Sequence, residues 1–187
     1  LETDLLAIGK LGIRRARGVF PDGTPFAMPG DDPLPPALDV EPNWRDQTVY
    51  LTLPLRAAAQ ADVGRAEAPP DQLFRYRVRE TEVDDASGSM QGAVLMEVGG
   101  MSTRLLPQSQ PLEGLTRIPL ARIVESRADR QVTLDEAFMP TALACQAAPR
   151  LATFLVELLG LLHQRGEALA ARVSVGDRGG AAEIADF

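Results

Sequence analysis

The clearest alternation in the chain is "TVYLTLPLR" (48–56), where Val49, Leu51, Leu53 and Leu55 recur at every second residue. Period two predicts a strand with one buried face, and Pro54 predicts that it lies at a sheet edge or ends there. "LFRYRVRETEV" (73–83) sets Phe74, Tyr76 and Val78 on one side and Arg75, Arg77 and Arg79 on the other, so a solvated arginine face is predicted. Segment 4–20 is rich in β-formers, with Leu6, Ile8, Leu11 and Ile13 spaced for a strand and Gly9 as its bulge. "PDGT" (21–24) has turn chemistry, which makes 11–28 a hairpin. Four prolines stiffen a long loop over 30–44. Residues 57–72 read as a surface connection, and 84–89 as a turn. Residues 93–106 read as two short strands around Gly99 and Gly100, and 115–126 with "QVTLD" (131–135) as a further hairpin. Roughly seven to nine short strands separated by turn signals predict a mainly β fold, a sandwich or a barrel.

At Pro149 the period changes. Leucine then recurs at helical spacing and no proline follows. Pro149 suits the first helical position, where its missing N–H costs little. "GDRGG" (176–180) is expected to stop this helix and "AAEIADF" (181–187) to begin another. The division is therefore a strand-rich domain over 1–147 and a helical segment over 148–187. Leu155, Leu162 and Leu169 are seven apart, and Leu151, Leu158 and Arg165 form the companion row. Phe154, Leu159 and Leu161 widen the apolar face. A face this broad wants several neighbours, which points to association of helices. The alternative is packing of the helix on its own sheet.

Beside this face stands "HQRGE": His163, Gln164, Arg165, Gly166 and Glu167. His163 is the only histidine, and Glu167 lies four residues on, within hydrogen-bonding reach. A catalytic histidine needs a nucleophile nearby, and a metal ligand needs companions. Neither is present in the sequence around it, so the stretch reads as polar groups suited to helix register and partner choice.

Composition narrows the function further. A net charge of −7 and a pI near 4.8 argue against nucleic acid or anionic lipid as the main partner. The single Cys145 excludes an internal disulfide and a multi-cysteine metal site, and reads as a small buried or half-buried residue. No apolar run reaches membrane-spanning length. Asp31–Asp32 and Asp84–Asp85 fall in turn-rich stretches, where aspartate caps local backbone. Trp44 reads as a plug on the core. No nucleophile elbow, phosphate loop or dinucleotide fingerprint occurs. The residues therefore give no catalytic, cofactor or metal site. The lead residue Leu1 and the closing "AAEIADF" suggest a stretch of a longer polypeptide.

"AIGKLGIRRARGVFPDGTPFAMPG" (7–30), "RIPLARIVE" (117–125) and "LLHQRGEALAARV" (161–173) resemble the type VI secretion baseplate family TssK, also called VasE or ImpJ. The resemblance implies a β-sandwich shoulder like that of phage receptor-binding proteins over 4–145. It implies the first part of a helical neck over Leu151–Val173, and the next neck helix, cut short, over Ala181–Phe187. It further implies a cytoplasmic homotrimer, docked at the inner membrane and without enzymatic activity. Its shoulder would bind the wedge proteins TssF and TssG. A head outside this stretch would reach the membrane complex of TssJ, TssL and TssM, and a lead segment of the type "EGLFLRPQHFQ" also lies outside it. A phage-like tail module that binds a surface ligand through the same architecture is the alternative reading.

Overall fold

In a computed structural model of the chain, residues 1–56, 61–65, 72–84 and 93–183 are described. They divide into two compact units, Leu1–Thr141 and Ala142–Phe187. The first is built from β1 (Lys10–Leu11), β2 (Ala16–Val19), β3 (Pro25–Met28), β4 (Leu38–Asp39), β5 (Arg45–Pro54), β6 (Val63–Gly64), β7 (Tyr76–Asp84), β8 (Ala93–Met101), β9 (Arg104–Pro107), β10 (Leu115–Ser126) and β11 (Val132–Leu134). The second carries the long helix α1 (Pro149–Glu183). The chain is thus mainly β with a C-terminal helix, as its alternation predicted.

The alternating stretch forms β5, and Val49, Leu51 and Leu53 are fully buried. Its place differs from one of the two expected. The largest sheet has the order β11-β10-β5-β9, so β5 is interior. Pro54 is instead its last residue, opposite Leu115, and the Leu55 N–H beyond it still donates to the Gly114 carbonyl (2.8 Å). Leu55 lies past the strand end and is exposed.

Residues 4–8 form a 3-10 turn rather than a strand. Gly9, at φ 78°, ends that turn and is no bulge; its left-handed conformation reverses the chain into β1. Leu6 still packs on the core, and Leu11 and Ile13 are buried, so the apolar spacing was sound while its period was misread. The predicted hairpin is present with a shorter span. β2 and β3 pair from Ala16↔Met28 to Val19↔Pro25. The Phe20 N–H donates to the Thr24 carbonyl (2.8 Å) across a turn with Gly23 at φ +85°. Gly18 lies under the Phe26 ring; a Cβ there would come within 2.9 Å of it. Phe20 and Phe26 meet with ring centroids 4.9 Å apart.

These groups join the residues from β5, Leu105 of β9, Ala121 and Ile123 of β10 and Val132 of β11 in one hydrophobic cluster. Each aliphatic or aromatic side chain buried there contributes about 1.5–3 kcal/mol. Trp44 is half-buried against the cluster, and its Nε1–H donates to the Glu41 carboxylate (3.4 Å). Asp32 Oδ2 accepts from the Ala27 N–H (3.1 Å), the local backbone role expected of it.

The split expected at Gly99 and Gly100 falls later, at Ser102–Thr103. Both glycines lie inside β8, opposite Val78 and Arg77. Of the connection predicted over 57–72, residues 63–64 form β6, parallel to β7; 57–60 and 66–71 lie outside the described residues. So do residues 85–89 of the predicted turn, and with them Asp85.

α1 begins at Pro149, as expected, but it continues through "GDRGG" to Glu183. Glycine costs a helix about 1 kcal/mol relative to alanine, yet it keeps its N–H, so the ladder of hydrogen bonds need not break. The separate helix expected from residue 181 is therefore absent as far as Glu183, and 184–187 lie outside the described residues. Ahead of α1, Cys145–Ala147 make a 3-10 turn, and Cys145 is exposed rather than buried.

Candidate interaction surfaces

α1 presents the leucine rows at its surface. Leu151 and Leu155 are half-buried, near the Ala148 carbonyl that accepts from the Ala152 N–H (3.0 Å). Beyond them the face is open. Leu158, Leu162 and Leu169 are exposed by 39%, 59% and 60%, and Phe154, Leu159 and Leu161 are exposed beside them. Arg165, Gln164 and Gly166 are exposed as well. His163 Nε2 and a Glu167 carboxylate oxygen are 3.2 Å apart, one helical turn apart in sequence. Both side chains stand in solvent, so this pair has a surface role, with no nucleophile on the same helical turn. Phe154, Leu158, Leu159, Leu161, Leu162 and Leu169 thus leave apolar side chains in solvent along this part of α1.

One functional residue type was misread in sequence. Arg75 does not share a solvated stripe with Arg77 and Arg79. It precedes β7 and is 3% exposed. Its Nη1 donates to the Pro54 carbonyl (2.6 Å), and its Nη2 donates to Asp22 Oδ2 (2.7 Å) and to Thr24 Oγ1. Asp22 Oδ1 also accepts from the Thr24 N–H (3.1 Å). Burial pushes the Asp22 carboxyl up, but the hydrogen bonds from Arg75 and Thr24 outweigh it and hold it below its ordinary value. Burial likewise disfavours the charged guanidinium, and Asp22, together with Tyr76, reverses that. The "PDGT" turn, the end of β5 and the start of β7 are thereby tied at one point. Alternation alone signalled a surface arginine; only the turn's aspartate, 53 residues away, reveals the tie.

Among the described residues no three His, Cys, Asp or Glu side chains cluster as a metal site, and no helix is long and apolar enough to cross a membrane.

The family described as Bacterial Type VI secretion (EvfL, ImpJ, VasE) matches residues 1–187. The type VI secretion system baseplate component TssK1 of Pseudomonas aeruginosa is 47% identical over 188 residues, covering 100% of this chain and 42% of that protein. This chain thus spans less than half the length of that relative. Among solved structures, a crystal structure of TssK aligns with a TM-score of 0.81 at 35% identity, over 92% of this chain and 39% of that one. The TssK-TssF-TssG baseplate subcomplex of the type VI secretion system gives 0.78 at 26% identity, over 91% and 56%. The baseplate complex from the type VI secretion system gives 0.76 at 28% identity, over 91% and 54%.

Proposed function

Since the chain belongs to the bacterial type VI secretion family of ImpJ and VasE, we propose that it is the shoulder and the first part of the neck of a baseplate adaptor. Residues 1–147 are the β-sandwich shoulder that binds the wedge proteins TssF and TssG. Residues 148–187 are the neck, which associates three copies through Leu151, Leu155, Leu158, Leu162, Arg165 and Leu169. His163, Gln164, Gly166 and Glu167 flank that seam and set its register. The adaptor works in the cytoplasm at the inner membrane, has no enzymatic activity, and meets TssJ, TssL and TssM through a head outside this stretch.

The observation that carries this reading is the exposed leucine face on α1, attached to a chain whose strand-rich part resembles TssK, including TssK in complex with TssF and TssG. Leucine side chains left in water forgo about 1.5–3 kcal/mol each, and association of three helices recovers much of it. The test is to mix this chain with purified TssF–TssG and measure the mass of the eluted complex by light scattering, with full-length TssK alongside. Co-elution in multiples of three copies is expected. If full-length TssK captures the wedge and this chain does not, the shoulder assignment of wedge binding is wrong.

A further inference from the structure

β8 forms one edge of the three-stranded sheet β6-β7-β8, and among the described residues it pairs with β7 alone. Alternate peptide N–H and carbonyl groups of an edge strand point away from the sheet, open to another strand. Edge strands are ordinarily protected by proline, by lysine or by a bulge. β8 has none of these over Ala93–Val98. Its sequence there is "AVLMEV", and its register with β7 runs unbroken from Tyr76↔Met101 to Asp84↔Ala93.

The two sides of this ribbon differ in chemistry. Residues directly opposite in an antiparallel pair share a face, so Thr81, Val83, Val94, Met96 and Val98 lie on one side and Glu80, Glu82, Leu95 and Glu97 on the other. Val83, Val94 and Met96 are exposed, which leaves the apolar side largely in solvent. Glu80, Glu82 and Glu97 are exposed as well, and among the described residues no ion pair joins them to a cation. Glu80 stands directly opposite Glu97, a like-charge pair that opposes the ribbon's own pairing.

We infer that β8 accepts a further strand from a partner protein, one that alternates basic and apolar residues. Its backbone completes the ladder left open on β8, and its side chains give the specificity. On one side its basic residues stand beside Glu97 and relieve the repulsion between Glu97 and Glu80. On the other its apolar residues extend the surface of Val94 and Met96. A second copy of this chain fits the edge poorly, because β8 against β8 brings carboxylates toward carboxylates. The inference follows from the edge and its charge, and does not depend on which protein owns the strand or on the baseplate reading.

The test uses the 187-residue chain and a fluorescein-labelled peptide of alternating lysine and valine, read by fluorescence polarisation. Two controls keep its charge. One has the same lysines and valines in two blocks, and the other is the alternating peptide N-methylated at every peptide bond, which removes its backbone donors. The alternating peptide should bind about tenfold more tightly than either control, and added salt should weaken it. Glu80→Gln with Glu97→Gln should weaken binding about fivefold, with no fall in melting temperature, since it removes a like-charge pair. Glu113→Gln, an exposed carboxylate outside the ribbon, should leave binding unchanged. Val94→Ser with Met96→Ser, which changes no charge, should weaken binding about fivefold and leave the oligomer mass by light scattering unchanged. Equal binding of the alternating peptide and either control would overturn the proposal, as would an effect of the Glu80, Glu97 variant no greater than that of Glu113→Gln. A lower oligomer mass for the Val94, Met96 variant would overturn it too, by placing a second copy of the chain on β8.

Discussion

Asp22 shows how one side chain can hold distant parts of the chain together. It sits in a turn whose local chemistry asks for aspartate, and the same carboxylate takes the charge of a guanidinium that is almost wholly buried. Removing one member of a buried pair leaves the other charge without its compensation, at a cost of about 3 kcal/mol. Asp22→Ala should lower stability by about that amount at neutral pH, measured by urea unfolding. Because the folded carboxyl titrates below its ordinary value, its contribution is fully present above the unfolded value, about 3.9. It is lost as pH falls through the lower folded value. The gap between wild type and Asp22→Ala should therefore hold from neutrality down to about pH 4 and close below it. A gap that is unchanged at pH 2 would remove Asp22 from this role.

Among the elements, α1 carries the largest conflict between local and collective preference. It contains Gly160, Gly166 and the "GDRGG" run, yet it is one helix. Over 149–172 its residues do not owe this to burial, since most of the side chains there are exposed. An added Cβ at Gly160 meets nothing within 4 Å, and position 160 lies opposite the leucine rows. Gly160→Ala should therefore stabilise the helix by about 1 kcal/mol, read as a gain in helical circular dichroism at moderate temperature, with no change in oligomer mass. A loss of oligomer mass would place Gly160 at a close helix contact and displace the seam assigned to the leucines. The β2–β3 hairpin shows the opposite case, in which local preference and packing agree. Small residues at 16 and 18 admit Met28 and Phe26 opposite them, and the turn between requires the glycine it has.

For the whole molecule, the question is what covers the open face of α1. Leu155→Asp with Leu162→Asp places two charges on the rows proposed to meet other copies, and charge at such positions opposes association. The oligomer mass by light scattering should drop toward that of one 20.1 kDa chain. The strand-rich unit should keep its β-sheet circular dichroism, because neither leucine belongs to its core cluster. An oligomer that survives both substitutions would move the seam elsewhere.

The sequence by itself determined what depends on near neighbours. Alternation at 48–55, the "PDGT" turn, the hairpin ending in "QVTLD", the start of α1 at Pro149 and the leucine rows on its surface were all legible, because each rests on a period or a backbone preference that acts within a few residues. The tertiary structure alone decided which strand lies inside a sheet, because Pro54 looks the same at an edge as at a strand's last residue until its neighbours are known. It decided that residues 4–8 turn rather than extend, since Leu6 and Leu11 reach one core by either route. It decided that Arg75 is buried and Arg79 is not, which alternation cannot distinguish. It also set Arg79 of β7 against the Asp31 carbonyl and brought Gly100 of β8 close to both Arg79 and Pro33, by pairings that no local pattern records.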